Sequence, residues 1–114
     1  MSSNDQESEQ AKAIPRVYIK VHRFEGEILV AACDEDVLGA LISNSMTKTR
    51  IYIDPVFYKG ELVSIDKALE VIKTSTQANL VGNNIVNAAI RAGLIDPNAV
   101  LSVDNVKIAI YMRL

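Results

Sequence analysis

Hydrophobic and polar residues alternate from Arg16 to Phe24, R-V-Y-I-K-V-H-R-F: Val17, Ile19 and Val21 fall on one face, and Tyr18, Lys20, His22 and Phe24 on the other. A period of two is that of a half-buried β-strand. A second strand follows at Glu27 to Cys33, and Gly26 supplies the positive φ that a tight Glu25-Gly26 hairpin turn needs. This strand, I-L-V-A-A-C, is apolar on both faces. It reads as a central strand covered on both sides, or on one side plus a partner.

Asp34-Glu35-Asp36 ahead of Val37 to Ile42 predicts a short helix, because acidic residues suit the positive end of a helix dipole. Ser43 to Lys48 is a polar loop. Thr49 to Ile53 alternates again, with Thr49, Ile51 and Ile53 on one face and Arg50 and Tyr52 on the other. Asp54-Pro55 ends it. Val56 to Val63, broken by Gly60, reads as an irregular packed loop or short strand. Ser64 is a good N-cap for a helix over Ile65–Thr74, and a second helix runs from about Gly82 to Ala92 with Gly93 as its C′ residue.

Asp96-Pro97-Asn98 is a turn. Val100–Val103, Asp104-Asn105 and Val106–Met112 read as a closing hairpin. In its last strand Val106, Ile108, Ile110 and Met112 are expected to face the core, and Lys107, Ala109, Tyr111 and Arg113 to face out. The order β-β-α-β-α-α-β-β predicts an α+β fold, a small mainly antiparallel sheet with helices packed on one face. Residues 14–114 are expected to form a single domain. Residues 1–13, rich in Ser, Gln and Glu, are expected to be a disordered acidic tail.

Composition narrows the chemistry. The chain has 114 residues, 49% of them hydrophobic, enough for a core without disulfides. The net charge of −2 comes from the tail. Setting aside Lys12 against Asp5, Glu7 and Glu9 leaves eleven of the twelve Lys/Arg and eleven of the fourteen Asp/Glu. A strongly basic RNA-coating protein is excluded, whereas a local basic patch is compatible with this balance. One cysteine and no apolar run of signal-peptide or membrane-spanning length predict a cytoplasmic protein with no membrane association.

Catalytic constellations are sparse. Cys33 and His22 are the only residues of their types. A two-residue turn at Glu25-Gly26 sets His22 opposite Leu29 and Cys33 opposite Tyr18. Cys33 is then roughly 13 Å along the strand from Leu29, whereas a nucleophile and its base need about 3 Å. One His, one Cys and scattered carboxylates do not make a His- or Cys-rich metal site. Asp34-Glu35-Asp36 reads either as a weak Mg²⁺ site or as helix-start acidity. Asp66 and Glu70, four apart, read either as paired carboxylates or as a solvated helix face. No phosphate loop of Walker spacing and no Gly-x-Ser-x-Gly elbow is present. Asn79, Gly82 and Asn83 precede a helix, where free backbone N–H groups suit a phosphate; the alternative is a Gly-Asn cap that positions the helix.

The aromatic and basic residues suggest a surface. If the strands at Arg16, Thr49 and Val106 share one sheet, Tyr18, Lys20, His22, Arg50, Tyr52, Lys107, Tyr111 and Arg113 lie on one side. Bases stack on such rings while cations meet phosphates. An outward sheet face is normally polar, so the alternative is a plain solvent face, and the surface is available only if the helices do not cover it.

Five segments occur in order: V-Y-I-K-V-H-R, E-I-L-V-A-A-C-D-E-D-V-L-G, F-Y-K-G-E-L-V, A-N-L-V-G-N-N-I-V and A-G-L-I-D-P-N-A-V-L. By their order and spacing, from Arg16 onward, the chain resembles an uncharacterised archaeal family, the domain of unknown function numbered four hundred and twenty-four. It departs from that family's pattern at Asp104–Lys107, where members often carry a Gly-Val-Pro-His-like segment. The resemblance implies an archaeal cytoplasmic protein with a loose link to translation, and no ligand or catalytic residue.

The leading expectation is therefore a non-enzymatic RNA-binding or ribosome-associated protein without a cofactor. The alternatives are a small protein–protein interaction subunit of a larger assembly and an enzyme gathering Asp34, Asp66 or Glu70 near Asn79.

Overall fold

A computed structural model describes residues 14–114. The acidic tail expected over residues 1–13 lies outside the described residues. β1 (Arg16–Phe24) and β2 (Glu27–Asp34) form the expected antiparallel hairpin. Its turn residues, Glu25 and Gly26, both take positive φ, 49° and 79°. Tyr18 stands opposite Cys33 and His22 opposite Leu29, the register that separates Cys33 from His22.

Glu35–Val37 forms a single 3-10 turn in place of the expected short helix. Gly39, at φ 82°, ends that turn. The backbone of Gly39 and Ala40 then pairs with Ile53. This pairing starts a second hairpin, β3 (Leu41–Asn44) against β4 (Thr49–Tyr52). Acid at a helix start could not overcome Gly39 within the run and a strand partner at Ile53. α1 (Pro55–Tyr58) is one turn, capped by Asp54, whose Oδ1 accepts from Val56 N at 2.9 Å. β5 (Glu61–Ser64) follows. Gly60 precedes it without a side chain because a Cβ there would run into the carbonyl oxygen of Ile19.

Ser64 caps α2 (Ile65–Thr74) as expected, its Oγ accepting from Lys67 N at 3.1 Å. β6 (Gln77–Val81) was not expected as a strand. It lies between β2, which it pairs in parallel, and β8 (Val106–Met112), which it pairs antiparallel. α3 (Asn83–Arg91) and the hairpin of β7 (Leu101–Val103) and β8 complete the chain.

The result is an α+β fold. The main sheet has six strands in the order β5-β1-β2-β6-β8-β7, antiparallel except for β2 and β6; β3 and β4 form a separate pair. The two long helices cover one face, where Val17, Ile19, Val30, Ala32 and Leu80 meet Ala68, Ile72, Ile85 and Ala89. Part of the other face is covered too. There Ala31, Cys33 and Val81 pack under Ile42, Ile53 and Tyr58 from the β3–β4 hairpin and α1. β2 is thus covered on both sides along its second half, as its doubly apolar sequence requires. Among the described residues no helix is long and apolar enough to cross a membrane.

Candidate functional site

The eight residues proposed as one aromatic and basic face do not share a face. Tyr18, Lys20 and His22 lie on the side that bears the hairpin, and α1 occupies their outer surface. Lys20 Nζ donates to Val56 O at 2.7 Å. His22 Nε2 lies 3.0 Å from Phe57 O, and its ring stacks on Phe57 with centroids 4.8 Å apart. These side chains bind the chain's own segment, and Tyr18 packs half-buried on the same cluster.

Arg50 and Tyr52 belong to the separate two-stranded sheet, not to the main one. They are exposed there, with Leu41 opposite Tyr52 and Ser43 opposite Arg50.

β8 is turned over relative to the expectation. Ala109 is buried and Tyr111 half-buried against the helices, and Lys107 Nζ donates to Asn87 Oδ1 of α3 at 2.7 Å. Ile110 and Met112 emerge on the opposite side, 58% and 62% exposed. Ala109, 3% exposed, is the β8 residue that packs in the cluster with Ile85 and Ala89 of α3. Ile108 and Val106 do pack under the hairpin, so the expected inward row is half right.

The phosphate-site candidate is filled from within. Asp34, at the end of β2, is 3% exposed and points at the N-terminus of α3. Its Oδ2 accepts from Asn84 N at 2.9 Å and its Oδ1 from Ile85 N at 3.0 Å. A carboxylate already satisfies the donors that a phosphate would use. Burial pushes the Asp34 carboxyl above its ordinary range, and the two N–H donors act against that shift. Asn83 is also committed. It donates through Nδ2 to Asn105 O at 3.0 Å and accepts through Oδ1 from Lys107 N at 2.9 Å, so it locks the β7–β8 turn. Asn79 does not join this corner: it sits half-buried on the open part of the sheet, between Ala31 and Ile110.

The candidate carboxylates stay apart. Asp34 is buried under α3, while Asp66 and Glu70 are exposed on α2. Cys33 is fully buried; burial, with help from Asp34 and Asp36, pushes its thiol up to about 12. Tyr58 beside it is likewise pushed up to about 12, chiefly by burial.

What the structure does bring together is apolar. Beyond the edge of the β3–β4 hairpin, the lower half of the sheet face is open. Phe24 (54% exposed), Leu29, Ile110 and Met112 lie there with Gln77 and Asn79, next to Leu101 on β7 (56% exposed). Phe24, Leu29, Thr76, Gln77, Met112 and Leu114 line a shallow groove, to which Glu27 and Arg113 add one charge of each sign. Sequence reasoning missed this surface by assigning Ile110 and Met112 to the core. The signal that would have shown it was Ala109, the one small residue in an otherwise bulky strand.

The sequence pattern of the family described as Protein of unknown function (DUF424) matches residues 22–114. The chain belongs to DUF424. Its fold is similar to a crystal structure of an uncharacterized conserved protein from Methanopyrus kandleri, with a TM-score of 0.69 and 22% sequence identity. The similarity covers 87% of this chain and 95% of that one. At that identity it shows a shared fold. None of the curated proteins compared matches the chain.

Proposed function

We propose that this DUF424 protein is a non-enzymatic protein–protein interaction subunit of a cytoplasmic assembly, docking through the open half of its sheet. One observation carries this reading: the uncovered face is lined by Phe24, Leu101, Ile110 and Met112, each more than half exposed. At roughly 200 Å² per large side chain, these four leave on the order of 450 Å² of apolar surface in water, about the size of the largest apolar patch on a typical monomer, which is often functional. The groove's Glu27 and Arg113 and the half-buried Asn79 and Gln77 supply polar contacts for orientation. Against an RNA platform on the same sheet stand the internal contacts of Lys20 and His22 and the placement of Lys107 and Tyr111 beneath the helices. The test is capture of partners by the full-length protein after nuclease treatment. A partner retained by the wild type and lost from Phe24→Lys/Gln77→Lys supports the reading; capture indifferent to that pair contradicts it.

A second reading keeps RNA, ribosome or translation association on a different element. The β3–β4 hairpin, from Leu41 to Tyr52, carries Lys48 and Arg50 and no acidic residue. Arg50 and Tyr52 are exposed side by side with Met46 and Lys48 at the exposed turn. Salt-sensitive RNA binding that is lost in Lys48→Ala/Arg50→Ala/Tyr52→Ala supports it. Titration with total RNA at low salt that shows no binding removes it.

A further inference from the structure

The open face ends at a strand edge that is itself unpaired. Arg113 N donates to Thr76 O at 3.0 Å, and Gly82 N donates to Lys107 O at 2.8 Å. Odd-numbered residues of β8 therefore turn their backbone groups inward to the β6 side. By the period of two, even-numbered residues turn theirs outward. β7 pairs with Val106 to Ile108 and goes no further. Among the described residues, the N–H and C=O groups of Ile110 and Met112 thus point out of the sheet with no strand beside them.

The two open edges of the sheet differ in charge. On the far side, β1 is unpaired beyond Ile19 opposite Glu61, and there the exposed Arg23 guards the strand. On the β8 side, Ile108 to Met112 carries no charge. A strand laid against itself opposes like charges at the first edge and none at the second.

We propose that a second copy of this chain pairs its β8 antiparallel to this edge about a two-fold axis, joining two six-stranded sheets into one. Tyr111 then faces the partner's Tyr111, and Ile110 exchanges both backbone hydrogen bonds with the partner's Met112. Arg113 falls opposite the partner's Ala109 and meets no cation. The apolar side chains of Ile110 and Met112 from both copies form one cluster beside Leu101. An isologous contact of this kind closes after two copies. The area is modest. Leu101, Ile110, Met112 and the paired backbone hide roughly half of the ~800 Å² per partner of a standard interface, so the dimer is a weak, reversible one. The inference rests on the protein-interaction reading of the same face, and names one of its occupants.

Sedimentation of the purified full-length chain, with no other protein present, tests it. The expected result is a weight-average mass that rises from one to two chains across the micromolar range. Ile110→Pro and Met112→Pro delete outward N–H groups and leave the ladder to β6 intact, as proline on an edge strand does. Each is expected to raise the dissociation constant at least tenfold with an unchanged circular dichroism spectrum. Met112→Lys does the same by charge alone, and serves if a proline variant fails to fold. A chain that stays monomeric throughout the range overturns the proposal, as does a dimer indifferent to Met112→Lys. Neither result touches partner capture through Phe24 and Gln77, so the two readings fail separately.

Discussion

The carboxyl of Asp34 stands where a side chain on Gly82 would have to be: a Cβ built on Gly82 runs directly into it. Gly82 also holds φ 122° with ψ 144°, a backbone region open in practice only to glycine. One residue therefore makes room for the group that caps α3. This relationship fastens the end of β2 to the start of α3 and closes the corner to outside anions.

Gly82→Ala is expected to cost on the order of 3 kcal/mol or more, from backbone strain together with displacement of the carboxylate. Asp34→Ala is expected to cost about 2–3 kcal/mol, since it strands the N–H groups of Asn84 and Ile85. Urea midpoints of both variants check this. Midpoints equal to that of the wild type mean that α3 does not depend on the cap.

Alkaline pH reports on the core under the hairpin. The Cys33 and Tyr58 groups titrate at about 12 in the folded chain against ordinary values of 9.0 and 10.0. Between those limits the folded state holds more protons than the unfolded state. The stability that these two groups contribute is therefore fully present below pH 9 and is lost as pH rises from 9 toward 12. Cys33→Ala is expected to flatten the first part of that decline. Chemical unfolding at a series of alkaline pH values measures it, and identical slopes in variant and wild type contradict the burial of the thiol.

Lys20 and His22 are read as tethers for α1. His22→Ala is expected to lower stability by about 1 kcal/mol and Lys20→Ala by less. Both are expected to speed amide exchange at Phe57, Tyr58 and Lys59, whose N–H groups bond to Asp54 and Pro55. Hydrogen exchange resolved to that segment distinguishes a tether from a free ligand-binding row, which leaves those amides unchanged.

Local patterns carried much of the fold. The β1–β2 register followed from one two-residue turn, and α2 and α3 followed from Ser64 and Gly93 at their ends. The family was legible in the order of five segments. The misreadings share a cause, which is long-range packing. Q-A-N-L-V is too short and polar to announce a central strand, and β2 and β8 make it one. Val37–Ile42 looks helical until Ile53 pairs with Gly39 and Ala40. Strict alternation in β8 gave the two faces but not which was inside, because a buried Ala109 weighs less in a hydrophobic pattern than an exposed Ile110. The aromatic and basic surface required strands of two different sheets to lie in one, and no local signal reports sheet membership.

The central claim is that the open half of the sheet, and not the residues around Tyr18 and Lys20, holds a protein partner. The direct measurement is nuclease-treated capture by tagged full-length protein, run side by side for wild type, Phe24→Lys/Gln77→Lys and Lys48→Ala/Arg50→Ala/Tyr52→Ala. The predicted result is a stoichiometric protein retained by the wild type and by the hairpin variant and lost from the face variant. Material that disappears with nuclease, or that the face variant keeps and the hairpin variant loses, contradicts the account.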